Sequence, residues 1–110
     1  MGEILYGTPP SRLSFDDRLL AHLKLVIVAK LRRGEPFLLS WERPPEAGSG
    51  RMSLWMHPAI PLQFSFAGSR MPAINPVWIE QMTLLANGPL GLKVIPEPDP
   101  SALAESPVLA

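Results

Sequence analysis

The stretch from Asp16 to Gly34 carries a helix signature at both ends and along its length, and it sets what the remainder of the chain can fold around. Asp16 suits an N-cap, where a short side-chain oxygen meets the free amides of the first turn, and Asp17 adds negative charge beside it. Lys30, Arg32 and Arg33 crowd the last turn, where cations meet the negative end of the helix dipole, and Gly34 suits a left-handed closing residue. Between these ends Leu19, Leu20, Leu23, Ile27 and Leu31 recur at helical spacing, with Val26 beside them. Leu25, Val28 and Ala29 make the second half apolar nearly all round, which predicts burial on more than one side.

Most of the other periodic segments alternate with period two. Ile4 to Gly7 and Arg12 to Phe15 flank Thr8-Pro9-Pro10 and predict a pair of short strands. Phe37 to Glu42, Arg51 to His57 and Leu62 to Phe66 each place apolar residues on one face and polar residues on the other, with residues 43–50 a loop by composition. These three runs predict an antiparallel meander with one face on the core. Asn75-Pro76 opens a second helix in the favoured cap-then-proline order, with Trp78, Met82 and Leu85 along one side and Asn87-Gly88 as its stop. Leu92 to Ile95 makes a last short strand. The expectation is an α+β fold of order ββ-α-βββ-α-β: one small, mainly antiparallel sheet with two helices on one face.

A chain of 110 residues supports one domain, placed here at residues 1–95. The absence of cysteine excludes disulfides, thiolate metal sites and cysteine nucleophiles, and fits a reducing, cytoplasmic setting. Net charge is zero, but residues 1–95 hold all ten basic groups against seven acidic ones, while 96–110 carry Glu97, Asp99 and Glu105 and no cation. The Pro-Glu-Pro-Asp-Pro run cannot donate a regular set of backbone hydrogen bonds, so residues 96–110 are expected to form a flexible acidic tail. A second reading lays that tail on a basic patch of its own domain, a contact that salt would loosen. No apolar run is long enough to span a bilayer, and the first residues lack the pattern of a secretory signal, so no membrane association is expected.

Helices on one face leave the other face of a sheet to water or to a partner. On the alternation, Arg51, Ser53, Trp55, His57, Gln63 and Ser65 share that face, with Ser40 and Glu42 from the neighbouring strand. An indole among polar groups forgoes burial unless something covers it. Three readings are open: a face assignment inverted by one residue, which would put Trp55 in the core; an anchor for a homodimer or another protein contact, since Trp and Arg are enriched at binding hot spots; or a platform on which a nucleobase stacks. Lys30, Arg32 and Arg33, with Lys24 and Arg18 upstream, are candidate phosphate contacts, although a helix C-terminus accounts for such cations without a ligand.

The constellations that catalysis requires are mostly absent. His22 has Leu25 and Val26 at the ligand positions three and four residues on, so it starts no helical metal site. Gly48-Ser49-Gly50 lacks the flanking residues of a phosphate loop. Ser53 and His57 lie about 13 Å apart on an extended strand at ~3.3 Å per residue, beyond hydrogen-bond reach. Adjacent Asp16 and Asp17 point apart on a helix and make a poor carboxylate pair. No catalytic residue, metal or cofactor is assigned.

Leu13 to Trp41 (LSFDDRLLAHLKLVIVAKLRRGEPFLLSW) and Gly50 to Phe64 (GRMSLWMHPAIPLQF) resemble a family of uncharacterised proteins of similar length from high-GC actinobacteria. The likeness covers residues 1–95 and stops at the proline-rich tail. Members often carry the genome label "ATP-dependent DNA ligase", which implies a link to DNA ligation. The adenylated lysine of such ligases lies in a Lys-x-Asp-Gly motif, and none of Lys24, Lys30 or Lys93 stands in one. The functional expectation is a small protein-interaction module that forms a homodimer or meets a protein partner through Arg51, Ser53, Trp55, His57 and Gln63. The alternative is a nucleic-acid-binding accessory protein using Arg51, Trp55 and His57 with Lys30, Arg32 and Arg33.

Overall fold

The structure is a computed structural model that describes residues 1–100. Its elements run β1 (Gly2–Tyr6), β2 (Ser11–Phe15), α1 (Asp17–Arg32), β3 (Phe37–Glu42), β4 (Arg51–Met56), β5 (Leu62–Ser65), α2 (Pro76–Ala86) and β6 (Leu92–Lys93), with a short 3-10 turn at Pro45–Ala47. Class and order match the expectation from sequence. The strands, however, form two three-stranded sheets, β2-β1-β5 and β4-β3-β6, instead of one. The described residues divide accordingly into two compact units, the first holding residues 1–36 and 57–74 and the second residues 37–56 and 75–100.

In the first unit β1 pairs antiparallel with β2 and with β5, so β5 joins the N-terminal hairpin and not β4. This corrects the meander expected from three successive alternating runs. Alternation fixes which face a residue occupies but not which strand lies beside it, and here β1 takes β5 through the register Ile4↔Phe64. Ile4, Tyr6, Leu13 and Phe15 face inward against α1, whose Leu20, Leu23, Val26 and Ile27 are buried. His22 is fully buried as well, and its Nδ1–H donates to the Arg18 carbonyl at 2.6 Å, as befits a core histidine.

Both ends of α1 close as the sequence predicts. The Asp16 side chain accepts from the amides of Arg18 (2.8 Å) and Leu19 (3.2 Å). At the other end Gly34 adopts φ +73, its amide donates to Leu31 O (2.9 Å), and the Glu35 amide donates to Lys30 O (3.1 Å), which is the Schellman pattern. Glu35 then turns its carboxylate back onto Lys30 Nζ (3.1 Å) and Arg33 Nη2 (3.2 Å).

The first turn of α1 also fastens the segment that follows β5. Asp17 accepts from the amides of Gly68 (2.8 Å) and Ala67 (3.2 Å), and Arg18 Nη1 donates to Ala73 O at 2.7 Å. The amide of Gly68, then that of Ala67, holds the Asp17 carboxyl below the usual carboxylate range. A carboxyl with a folded-state pKa below its unfolded value stabilises fully above the unfolded value and loses that contribution as pH falls through the folded one. The Ala67 and Gly68 amide resonances are therefore expected to titrate together in acid, with a midpoint below that of a free aspartate, and to lose this step in Asp17→Asn. A midpoint at the free value would mean that the two hydrogen bonds do not hold in solution.

In the second unit β3 pairs antiparallel with β4 and parallel with β6. The parallel pairing is brief: Leu39↔Leu92 and Ser40↔Lys93, extended by Val94 N–H to Ser40 O at 2.9 Å. Helix α2 packs on β3 and β6, and Phe37, Leu39, Met56, Val77, Trp78, Met82 and Leu92 are buried. Asn75 caps α2 through its Oδ1, which accepts from Val77 (3.0 Å) and Trp78 (3.4 Å), and its Nδ2 donates to Glu97 Oε2 and Pro98 O, both at 3.0 Å. Thus the first residues of the acidic segment meet the capping asparagine of α2. The part of that segment at 101–110 lies outside the described residues.

Candidate functional site

Strand β3 presents two faces with different chemistry. Phe37 and Leu39 turn toward α2, while Leu38, Ser40 and Glu42 turn away. The β3–β4 register sets Leu38 opposite Trp55, Ser40 opposite Ser53 and Glu42 opposite Arg51, so all six stand on the open face in three rungs. Lys93 joins them from β6, level with Ser40. Trp55 is 57% exposed, so its indole is not in the core and the inverted assignment falls away. The Ser40 and Ser53 hydroxyls lie 3.0 Å apart and hydrogen-bond across the middle rung.

An open depression of about 450 Å³ occupies the end of this face, lined by Ser40, Glu42, Arg51, Ser53, Leu90 and Lys93 among others. Arg51 and Lys93 take part in none of the ion pairs among the described residues. The face therefore combines one exposed indole, a hydroxyl pair, two cations and one carboxylate. Such a set can stack, hydrogen-bond and pair with charge.

The other residues singled out from sequence lie elsewhere. His57 opens the turn that follows β4 and belongs to the first unit. Its backbone amide donates to the Tyr6 hydroxyl (2.9 Å), and its Nδ1 accepts from the Ala59 amide (3.0 Å), so the imidazole closes a turn. Gln63 stands opposite Leu5 on the outer face of the first sheet. None of His57, Gln63 and Ser65 shares a sheet with Arg51, Ser53 and Trp55, which corrects the face expected from alternation. The cause is the break at Pro58 and Pro61, beyond which the chain joins a different sheet. Of the basic helix end, Lys30 is buried and pairs with Glu35, Arg33 pairs with Glu35, and Arg32 is exposed. The hydrogen bond from Lys30, first of all, holds the Glu35 carboxyl below the usual carboxylate range. Two of the three cations are thus engaged in closing α1.

Sequence reasoning missed Lys93 as a member of the open face. Its signal was present, one residue after the apolar Leu92, but without the β3–β6 pairing nothing places it beside Ser40. Among the described residues no three His, Asp or Glu side chains gather as a metal site, and no helix is long and apolar enough to cross a membrane.

These features define a small α+β protein of two sheet-and-helix units, the second with an open face that carries a hydroxyl pair at its middle and a tryptophan at one end. The chain belongs to the DUF7882 family, a domain of unknown function, whose profile matches residues 1–97. Among curated proteins and among solved structures none matches.

Proposed function

We propose that the protein is a small cytoplasmic interaction module that self-associates as a homodimer through the open face of the β4-β3-β6 sheet. The observation that carries this reading is Trp55, 57% exposed at one end of a face whose other end is the Glu42–Arg51 rung. A two-fold axis through the Ser40–Ser53 rung sets each indole over the Arg51 of the other copy, which joins a cation to an aromatic face and makes the patch complementary to itself. The three rungs cover on the order of 200 Å² at strand spacings of about 4.8 Å. Stable interfaces bury about 800 Å² per partner, so association through this face is weak and depends on concentration.

Sedimentation across a wide concentration range tests it. The native protein is expected to gain mass as concentration rises. Trp55→Ala should weaken association about thirtyfold, as loss of a hot-spot residue does, with an unchanged circular dichroism spectrum. Arg51→Glu should weaken it too, and the double exchange Arg51→Glu with Glu42→Arg should recover part of the loss. Monomers at every concentration for native and variant alike would reject the reading.

One observation favours a second reading. Lys93 adds a second cation to the tryptophan face, level with Ser40 and across β3 from the strand that carries Arg51, and an indole with cations is the combination on which single-stranded nucleic acid stacks and pairs its phosphates. The ligase label carried by the proteins this sequence resembles would then describe an accessory to end joining, since the Lys-x-Asp-Gly lysine is missing. This reading predicts binding that falls steeply with salt. No mobility shift of a single-stranded oligonucleotide even at low salt would remove it.

A further inference from the structure

The first unit contains a groove that the Trp55 face does not involve. It lies between α1 and the segment after β5, has a volume of about 290 Å³, and is lined chiefly by Ala21, Leu25, Phe66, Met71, Pro72 and Ile74. Its wall carries two cations. Lys24 holds its ammonium 5.8 Å from the centre of the Phe66 ring, and Arg70 stands on the opposite segment. Neither joins an ion pair among the described residues.

Local structure keeps this groove formed. The segment 66–74 has no regular hydrogen-bonding pattern of its own after β5, yet Asp17 fastens it at Ala67 and Gly68 and Arg18 fastens it at Ala73. Both fastenings come from the first turn of α1, so the wall is tied at its two ends while Met71 between them stays 74% exposed. A cleft held in this way spends little on ordering when it is filled.

We propose that this groove binds a small amphipathic carboxylate, with its chain against Leu25, Phe66 and Ile74 and its carboxylate between Lys24 and Arg70. Apolar lining calls for an apolar body, and two cations without carboxylate partners call for an anionic head. Size selects a small molecule over a polypeptide segment: a cavity of about 150 Å³ takes a benzene ring, so one twice as large takes a chain of about eight to ten carbons.

The test is an amide and side-chain NMR titration of the full chain with octanoate, flanked by hexanoate and decanoate, and with octanol and octylammonium as charge controls. Octanoate is expected to shift Leu25, Phe66, Gly68 and Met71. Affinity should rise about fourfold per added methylene until the groove is full. Octanol should bind at least fivefold more weakly and octylammonium not at all. All three tryptophans, Trp41, Trp55 and Trp78, lie in the second unit, so their indole signals should stay still and report any unspecific, detergent-like binding. Lys24→Met with Arg70→Met should keep the dependence on chain length and lose the preference for carboxylate over alcohol. Equal binding of all three head groups, shifts spread to the indoles, or no saturable shift would each overturn the proposal.

Discussion

Gly91→Ala is expected to lower the melting temperature of the second unit by about 10 °C or more, although the substitution adds a single methyl group. Gly91 adopts φ +80, and a Cβ there would overlap the Leu38 carbonyl oxygen and come within 2.9 Å of Leu38 Cβ. A left-handed alanine costs roughly 1–2 kcal/mol. Forcing an extra methyl into packed surroundings costs about 1–3 kcal/mol more. The contact is unavoidable because Gly91 immediately precedes Leu92, whose pairing with Leu39 brings β6 alongside β3. At roughly 4–8 °C per kcal/mol for a small domain, the sum is a large fraction of the stability available. Gly34→Ala separates the two contributions. Gly34 has nearly the same backbone angle, φ +73, but nothing within 4 Å of its absent Cβ, so only the conformational part should appear. Indole fluorescence follows the second unit for Gly91→Ala and the amide resonances of α1 follow the first for Gly34→Ala, and equal shifts for both variants would show that the overlap with Leu38 relaxes without cost.

The same glycine illustrates where sequence reading ends. Signals that act within one turn or along one strand were legible: the Asp16 and Asn75 caps, the Gly34 closure, and the alternation that put Arg51, Ser53 and Trp55 on one face with Ser40 and Glu42. Each depends on residues close in sequence, where backbone geometry leaves few choices. Strand partnership was not legible. β5 lies six residues beyond β4 yet pairs with β1, and β6 reaches β3 in parallel from across α2. Those choices are made by packing between distant segments, and period two has the same form whichever neighbour is taken. The open face consequently lost His57, Gln63 and Ser65 and gained Lys93. The groove in the first unit was illegible for a related reason: its wall is held by side chains of Asp17 and Arg18 reaching fifty or more residues ahead.

Asn75→Ala is expected to cost about 2–5 kcal/mol, because one buried side chain serves two segments of the chain. Its oxygen caps α2, a function worth about 0.5–2 kcal/mol. Its amide nitrogen donates to the Glu97 carboxylate and the Pro98 carbonyl, and a hydrogen bond to a charged group is worth about 1.5–3 kcal/mol. Asn75→Asp divides the two functions. It keeps an acceptor for the Val77 and Trp78 amides but replaces the donor with a carboxylate facing Glu97. Helix α2 should persist while residues 97–98 release. Because two like charges disfavour ionisation, the variant should regain stability as pH falls through the carboxylate range, the opposite of the acid response expected at Asp17. Truncation supplies the independent arm. A chain ending after Ile95 should lose what Asn75→Asp loses, and one ending after Pro100 should keep it, since both acceptors of the asparagine nitrogen lie between those points. Equal melting temperatures for the two truncated chains would show that the bonds from Asn75 to Glu97 and Pro98 contribute nothing, and that the folded unit closes where the Trp78 indole donates to Ile95 O.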